Sequence, residues 1–338
     1  MIHLSSNNLR DLRGSKPLII LHWDADGLAS TSLLIRYLDL KPSLYIPRIG
    51  FYKLDYDEIL KFSGYDSIIV VDFGVKTEDI EYLRDQVDVD IYVLDHHIRR
   101  ESSKVHIYPY RDSNDMLYPS ESIMVTELLG IKPNILTVLG FVGDLFSRAL
   151  DNRYSHVLWG EWNIYGFTYG DLKIFVDLIQ SNYVFMDRDG LKDAVYRLIQ
   201  TIDDPYIILD VKLWRERYIE MYRAINRALN IDPKSYNGLK FIEVDEKLFL
   251  TSYIGRYLAE KYRGEYILIG VPNLIAGYSQ IYLRISGKPR RGFTELIEEL
   301  NKMDVYAGGK DDVLGVFMDS NLYRDVLEYI VKWLGYRM

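Results

Sequence analysis

The sequence predicts an α/β protein of two domains, in which a parallel-sheet domain is joined by a long helix to a smaller α/β domain. From residue 17 to about residue 145, short β-rich runs alternate with helical stretches, as in a parallel sheet with crossover helices. From Ile208 to Leu229, apolar residues recur in steps of three and four, which predicts one long amphipathic helix before the turn at 232–238. The expected boundaries are 1–204 for the first domain, 205–236 for the connecting helix and linker, and 237–338 for the second domain.

Capping and periodicity predict the individual elements. Ser30 opens a stretch with apolar residues at helical spacing, and Thr77 begins another helix with a capping-type sequence. Residues 151–204 are expected to be largely helical. In the second domain, strands are predicted at 239–244, 266–271, 279–285 and 313–318, and helices at 252–262, 294–302 and 321–334.

Composition excludes several classes of protein. The chain has 338 residues, 48% of them hydrophobic, which is enough for a sizeable core. No run approaches the roughly 18 apolar residues of a membrane span, and the first eight residues lack a signal-peptide layout. We therefore expect a cytoplasmic protein without a membrane partner. The absence of cysteine excludes disulfides, thiolate zinc sites and cysteine nucleophiles, so a metal here would be held by His, Asp or Glu.

Charge is unevenly distributed along the chain. A net charge of −8 is not typical of a protein that binds duplex DNA through bulk electrostatics. Two basic segments stand out, namely Arg99-Arg100 and the loop 286–292. If the fold brings them together they favour an anionic substrate; otherwise they are ordinary solvated charges.

Carboxylates follow hydrophobic strands at three places in the first domain, at Asp24, Asp72 and Asp95, and Asp144 follows a further apolar run. Because ligands bind outside the carboxyl ends of parallel strands, these side chains are expected to converge on one site. Burying so many acids is costly unless cations neutralise them. The pattern therefore predicts a metal site.

The first acidic segment also carries a histidine. If residues 22–26 are extended, His22, Asp24 and Asp26 point to one side and line one wall of the site. Gly27 then lets the chain turn sharply into the next helix.

The third acidic segment reads Asp95-His96-His97. Adjacent histidines point in different directions, so one can ligate a metal while the other meets the substrate. Asp95 either ligates as well or orients an imidazole. Two oxygen-ligated cations about 3.5 to 4 Å apart are suited to in-line displacement at phosphorus. Oxygen-rich ligation favours Mn²⁺ or Mg²⁺, so we expect two Mn²⁺, with Mg²⁺ as the alternative.

These segments resemble the motifs of the DHH phosphoesterase superfamily, which is named for the triplet present here at residues 95–97. The segment 22–27 is most similar to that of RecJ-like single-strand nucleases, particularly archaeal ones. The resemblance implies that the triplet Asp95, His96 and His97 is catalytic and that His97 contacts the scissile phosphate. It also implies two cation sites bridged by Asp72, with the other ligands divided into His22 with Asp24, and Asp26 with His96 and Asp144.

The second domain resembles the DHHA1 module associated with that superfamily. Arg284 and Ser286 stand in its Arg-Ser-like strand, whose arginine binds a substrate phosphate. Gly308, Gly309 and Lys310 stand where the family usually has Gly-Gly-His. Lysine can hold a phosphate as a point charge but cannot stack or accept a hydrogen bond as imidazole does.

The resemblance implies a Mn²⁺-dependent exonuclease that degrades single-stranded DNA, with RNA as an alternative substrate, in DNA repair or replication. A repair helicase or replication protein is an expected partner, and a homo-oligomer is compatible with the sequence. Aromatic side chains such as Trp23, Phe73, Tyr108, Tyr110 and Phe293 are candidates for stacking on bases, with the alternative that most of them simply belong to the core. Two other hypotheses stay open: a nano-RNase or pAp phosphatase acting on short oligonucleotides, and a non-catalytic replication scaffold, against which the intact motifs argue.

Overall fold

A computed structural model describes residues 9–336 except 10, 52, 55, 75, 98–101, 110–117 and 288–290. Arg99, Arg100, Tyr110 and the centre of the basic loop 286–292 lie outside the described residues. The chain divides into two compact units, of which the first comprises Met1–Ile49, Lys53–Tyr183 and Asp187–Arg217, and the second Gly50–Tyr52, Val184–Met186 and Tyr218–Met338. The predicted α/β class is confirmed.

The first unit is built on a parallel sheet whose described strands run in the order β2-β1-β3-β4-β5. These strands are β1 (Leu18–Leu21), β2 (Ser43–Tyr45), β3 (Ser67–Val71), β4 (Asp90–Leu94) and β5 (His106–Tyr108). Every residue of β1 and β3 is buried, and both strands are almost entirely aliphatic. Such continuous apolar strands are expected where helices cover both faces of a parallel sheet.

Helices account for most of the remaining described residues of this unit. They are α1 (Ala25–Leu38), α2 (Tyr56–Ile59), α3 (Thr77–Val87), α4 (Glu121–Leu129), α5 (Ile135–Leu145), α6 (His156–Tyr165), α7 (Tyr169–Val184), α8 (Arg188–Thr201), α9 (Ile207–Asp210) and α10 (Lys212–Leu229). The last of these contributes residues to both units. None of the helices in the described part of the chain is both long and apolar enough to cross a bilayer.

The structure corrects two predictions about helices. The single helix expected from Ile208 to Leu229 is divided into α9 and α10, because Val211 has an extended backbone with ψ 97°. The first helix begins at Ala25 rather than near Ser30, since the Asp24 side chain accepts a hydrogen bond from the backbone N–H of Gly27 at 3.0 Å and so acts as the N-cap.

The second unit contains a mixed sheet whose described strands run in the order β10-β11-β9-β8-β7-β6, with β7 and β8 parallel and the other pairs antiparallel. Its strands are β6 (Lys234–Tyr236), β7 (Leu239–Glu243), β8 (Tyr266–Ile275), β9 (Tyr278–Ile285), β10 (Tyr306–Lys310) and β11 (Val313–Asp319). Its remaining helices are α11 (Thr251–Lys261), α12 (Thr294–Leu300) and α13 (Tyr323–Trp333). Phe293, Leu296 and Ile330 pack with inward-facing strand residues such as Leu268 and Leu283 to form its core.

Candidate metal centre

The loops after β1, β3 and β4 start from one edge of the first sheet. The backbone N–H groups of His22, Asp72 and Asp95 each donate to a carbonyl of a neighbouring segment, at 3.0, 2.9 and 3.1 Å respectively. The residues just beyond the strands therefore keep the order of the sheet, and their side chains have well-defined positions. This is the carboxyl edge, where parallel sheets bind their ligands.

Asp72 occupies an unusual backbone conformation at this edge. Its φ is +56°, in the left-handed region that is uncommon for residues other than glycine, although Asp and Asn adopt it more readily than most. Such conformations persist where the surroundings impose them, and they concentrate at functional sites. The Asp72 Oδ1 atom accepts no hydrogen bond from the described residues, although it is buried, and it lies 3.5 Å from Nε2 of His96.

The predicted ligands form two groups that meet at the same place. In the first group, ligand atoms of His22, Asp24 and Asp72 lie within 4.8 Å of one another. In the second, ligand atoms of Asp26, His96 and Asp144 do so. Asp72 also groups with His96 and His97, so it is common to both sides of the centre. All six residues expected as metal ligands are therefore brought together.

Helix α1 begins between Asp24 and Asp26, where an extended segment was expected. The expectation that residues 22, 24 and 26 alternate along an extended segment is wrong, because β1 ends at Leu21 and Asp26 already lies in the first turn of α1. Asp24 precedes the helix and lies beside His22, with 3.0 Å between its Oδ2 and Nδ1 of the histidine. The turn directs the two carboxylates into different groups.

His22 and Asp24 each stabilise the charged form of the other. Burial alone would lower the pKa of His22, but the carboxylate of Asp24 raises it overall. Burial alone would likewise raise the pKa of Asp24, but His22 and the N–H of Gly27 lower it overall. In the absence of a cation, these two residues therefore favour a charged pair.

Asp26 is held by the start of helix α4. Its two carboxylate oxygens accept hydrogen bonds from the backbone N–H groups of Glu121 at 2.6 Å and Ser122 at 2.9 Å. Burial, together with the negative charges of Asp144 and Asp24, raises the pKa of Asp26 to about 7. A cation beside this carboxylate would favour its ionised form.

His96 has one ring nitrogen fixed and the other directed at the acids. Its Nδ1 lies 3.2 Å from the carbonyl oxygen of Tyr118, which can only accept, so Nδ1 carries the proton. When the ring is neutral, its Nε2 presents a lone pair 3.5 Å from Asp72 Oδ1 and 4.0 Å from Asp144 Oδ2. This tautomer is the one that a metal-ligating imidazole requires.

His97 is more exposed and is oriented by Asp95. The Oδ1 atom of Asp95 accepts from Nδ1 of His97 at 2.9 Å and from its backbone N–H at 2.8 Å, while Oδ2 accepts from the N–H of Gly74 at 2.6 Å. Burial alone would raise the pKa of Asp95, but the His97 hydrogen bond and the charges of His97 and His96 lower it overall. Asp95 thus orients His97, one of the two roles expected for it.

The donor set fits divalent cations of the Mn²⁺ or Mg²⁺ type. Carboxylate oxygens predominate, with imidazole nitrogens from two histidines. Burial and the charge of Asp26 raise the pKa of Asp72 well above its usual value, and burial does the same for Glu121. Burial and the mutual repulsion of the clustered acids thus disfavour their charged forms in the free protein, and a cation would relieve that repulsion. These groups could hold metal.

Glu121 belongs to the centre and was not predicted from the sequence. It is fully buried, and ligand atoms of Glu121, Asp72 and Asp95 lie within 4.8 Å of one another. Its Oε2 atom accepts a hydrogen bond from the backbone N–H of His96 at 2.9 Å. The available sequence signal was weak, because a Ser-Glu pair before an apolar run reads as an ordinary helix start.

The predicted phosphate-binding residues of the second unit share one level of its sheet. Arg284 on β9 and Lys310 on β10 are both in register with Val313 on β11, so the two basic residues flank the same position. At about 4.8 Å per strand, their backbones lie roughly 10 Å apart. The Arg284 guanidinium donates to the hydroxyl of Tyr282 at 3.2 Å. Ser286 follows β9 and is partly buried.

Gly308 and Gly309 form part of β10, a strand that was not predicted because glycine is unfavourable in strands. Gly309 has φ +151°, and a Cβ built on it would lie 2.1 Å from the carbonyl oxygen of Val313. Only glycine can therefore bring this backbone so close to β11 and place Lys310 at the end of the strand.

Three of the aromatic candidates for stacking on bases are part of the core. Trp23, Phe73 and Phe293 have exposed fractions of 3%, 1% and 0%. For these three residues the core alternative therefore holds, because packing buries their hydrophobic surface. Tyr108 is partly exposed.

The fold and the acid-lined edge define an α/β protein whose clustered acids and histidines could hold metal. Residues 16–141 match the family model described as "DHH family, N-terminal domain". The expected DHH superfamily is thus confirmed for this segment, which is a little over a third of the chain. No curated protein matches the chain by sequence.

Solved structures share the fold at low identity. RecJ from Thermus thermophilus in complex with Mn²⁺ aligns with a TM-score of 0.66 and 16% identity, over 98% of this chain and 54% of that one. The chain thus spans about half of that RecJ. An exonuclease RecJ bound to manganese aligns with a TM-score of 0.63 and 15% identity, over 100% and 96% of the two chains.

CDC45 from Entamoeba histolytica has the same fold, with a TM-score of 0.55, 11% identity and 97% of each chain covered. The fold is thus shared by proteins with different names and is consistent with the predicted architecture. At these identities the likeness is one of fold alone, and the chemistry has to be argued from the residues of this chain.

Proposed function

We propose that the protein is a metal-dependent exonuclease that hydrolyses phosphodiester bonds of single-stranded DNA, with Mn²⁺ as the preferred cation and with RNA as a second substrate. The observation that carries the proposal is the position of Asp72, whose carboxylate is common to the His22–Asp24 side and the His96 side of one buried centre. A shared carboxylate is what a two-cation site requires.

The ligand sets follow from the two groups of the centre. His22 and Asp24 would hold one cation, Asp26, His96 and Asp144 the other, and Asp72 both. When bound, the cations would supply a water of lowered pKa and neutralise charge on the phosphoryl oxygens. RecJ structures with Mn²⁺ and with Mg²⁺ share this fold and support the choice of metals.

The three residues 95–97 have different roles in the proposal. His96 acts through its Nε2 atom as a ligand, since its Nδ1 is bound to the carbonyl of Tyr118. His97 has a side chain that is 33% exposed and is oriented by Asp95, so it can donate to a non-bridging phosphate oxygen. Asp95 has both of its oxygens engaged in hydrogen bonds and serves as the positioning group.

In this proposal the second unit supplies cationic groups that bind the single-stranded nucleic acid. Arg284 and Lys310 flank one position of its sheet and would bind phosphates of the substrate. The name of one neighbour, an exonuclease RecJ bound to manganese, favours a nucleic acid as substrate. We further propose a setting in DNA repair or replication, with a helicase or replication protein as the partner.

The test is a time course with 5′-labelled and 3′-labelled 30-mers of single-stranded DNA and RNA, in Mn²⁺ or Mg²⁺. We expect Mn²⁺-dependent shortening from one end only, and a loss of about 100- to 1000-fold in turnover for Asp72→Asn, which removes the shared charge. Asp189→Asn, at an exposed position in α8, is the matched control and should retain full activity.

Two outcomes would contradict the proposal. Wild-type protein that hydrolyses a dinucleotide much faster than the 30-mer would indicate a nano-RNase or pAp phosphatase. Wild-type protein that binds no Mn²⁺ and cuts neither substrate would favour the scaffold hypothesis. That hypothesis stays open because CDC45 shares the fold.

A further inference from the structure

The N-terminal turn of helix α4 touches two of the proposed ligands of one cation. Residue 121 contributes both contacts, one through its backbone and one through its side chain. We propose that Glu121 is a positioning residue that sets the spacing of Asp26 and His96, and that it thereby controls occupancy of one of the two cation sites. The inference rests on the proposed two-cation function and assigns a role within it.

The backbone contact fixes Asp26. The N–H of Glu121 donates to Oδ2 of Asp26 at 2.6 Å, and the next N–H along, that of Ser122, donates to Oδ1 at 2.9 Å. Both donors are free backbone groups at the helix start, where a carboxylate is also favoured by the helix dipole. Asp26 is therefore held from α4, although 95 residues separate it from Glu121.

The side-chain contact fixes His96. Oε2 of Glu121 accepts from the backbone N–H of His96 at 2.9 Å, and the Nδ1 atom of that histidine is bound to the carbonyl oxygen of Tyr118, three residues before Glu121. The loop that carries His96 is thus attached to the same turn that holds Asp26. Glu121 is completely buried, and its Oε1 atom has no hydrogen-bond partner among the described residues.

The two contacts act on one group of ligands and not on the other. Asp26 and His96 belong to the group completed by Asp144, whereas His22 and Asp24 are positioned by β1 and the start of α1. A change in the reach of the Glu121 side chain would move His96 relative to Asp26. The His22–Asp24 site would keep its geometry, so the two cations should respond differently.

The test compares Glu121→Asp with Glu121→Gln in the full chain. Aspartate keeps the negative charge in the first helical turn but is one methylene too short to reach the N–H of His96. Glutamine loses the charge but keeps the reach and an oxygen acceptor. The backbone N–H that binds Asp26 is present in both variants, so this contact is kept while the reach towards His96 and the charge are changed one at a time. Asp189→Asn, at an exposed position in α8, is the control.

Mn²⁺ binding is measured by the electron paramagnetic resonance signal of free Mn²⁺ during titration. We expect two sites in the wild type, in Glu121→Gln and in Asp189→Asn. In Glu121→Asp, one site should weaken by about 10- to 100-fold, the range observed when outer-shell partners of metal ligands are removed, and the other should be unchanged. Exonuclease activity of Glu121→Asp should recover at high Mn²⁺ concentration.

The outcomes separate the two proposals. If the wild type binds two Mn²⁺ and Glu121→Asp binds them equally well, the positioning role is wrong while the two-cation function stands. Equal weakening of both sites in Glu121→Asp, or weakening of a site in Glu121→Gln, also contradicts the positioning role. If the wild type binds fewer than two Mn²⁺, the two-cation function fails and the inference fails with it. If Glu121→Asp does not fold, the glutamine variant decides alone.

Discussion

Asp26 lies in the first turn of α1 with 1% of its surface exposed, and burial beside Asp144 and Asp24 raises its pKa to about 7. In the unfolded chain an aspartate has a pKa near 3.8. Between these values the folded, metal-free protein binds a proton that the unfolded chain has released. The free energy of unfolding must therefore fall as pH rises from about 4 to 7.

We predict that the metal-free protein loses stability between about pH 4 and pH 7, by about 4 kcal/mol at most from Asp26 if the whole difference in pKa is realised. Asp72 and Glu121, whose pKa values are also raised, contribute in the same direction. Urea unfolding at several pH values measures this. Asp26→Asn should flatten the dependence, Asp189→Asn should not, and a stability that rises with pH would contradict the prediction.

Strand-end position was the residue-level signal that predicted the convergence of the acids. Asp72 and Asp95 follow β3 and β4 directly, so their convergence follows from the geometry of a parallel sheet. Glu121 carries no such signal, because its partners are 25 and 95 residues away in the chain and only packing brings them together. The assignment of each ligand to a cation remains a prediction.

At the scale of elements, helix α5 packs against α1 and α4 through a glycine. A Cβ built on Gly140 would lie 2.4 Å from Oγ of Ser122 and 2.5 Å from Oδ1 of Asp26. These distances are too short for any real side chain, and both neighbours are buried. Glycine at this position lets the helix pass directly behind a proposed ligand.

We predict that Gly140→Ala destabilises the metal-free protein by about 1–3 kcal/mol, the usual cost of overpacking a core, and weakens Mn²⁺ binding because Asp26 is displaced. Gly160→Ala is the control, since a Cβ there meets nothing within 4 Å and the residue also lies inside a helix, α6. That change should stabilise the protein by up to about 1 kcal/mol. Thermal unfolding and Mn²⁺ titration test both, and a neutral Gly140→Ala would contradict the proposed contact.

Element types were predicted better than element ends. The alternation of strands and helices gave the parallel sheet, but the start of α1 depends on the Asp24 side chain capping Gly27, a contact that the helical periodicity after Ser30 could not reveal. Strand β10 was missed since two of its residues are glycines, and it forms because β11 offers a partner along its whole length. In both cases a specific contact outweighed local propensity.

For the whole molecule, the two units carry different parts of the proposed chemistry. All the residues of the metal centre lie in the first unit, and Arg284 and Lys310 lie in the second. If the second unit binds the strand through these cationic groups, substrate binding and metal binding should be separable by mutation. The net charge of −8 makes such local cationic groups necessary for binding a polyanion.

We predict that Arg284→Ala raises KM for a single-stranded 30-mer by about 10- to 100-fold, the loss expected for a charged hydrogen bond of 1.5–3 kcal/mol, while Mn²⁺ affinity stays unchanged. The salt dependence of binding should also become shallower, by about 0.7 in the slope of log K against log salt for each lost phosphate contact. Arg324→Ala, at an arginine in α13 whose side chain is 72% exposed, is the control. An unchanged KM, or a fall in Mn²⁺ affinity, would show that Arg284 does not bind the strand.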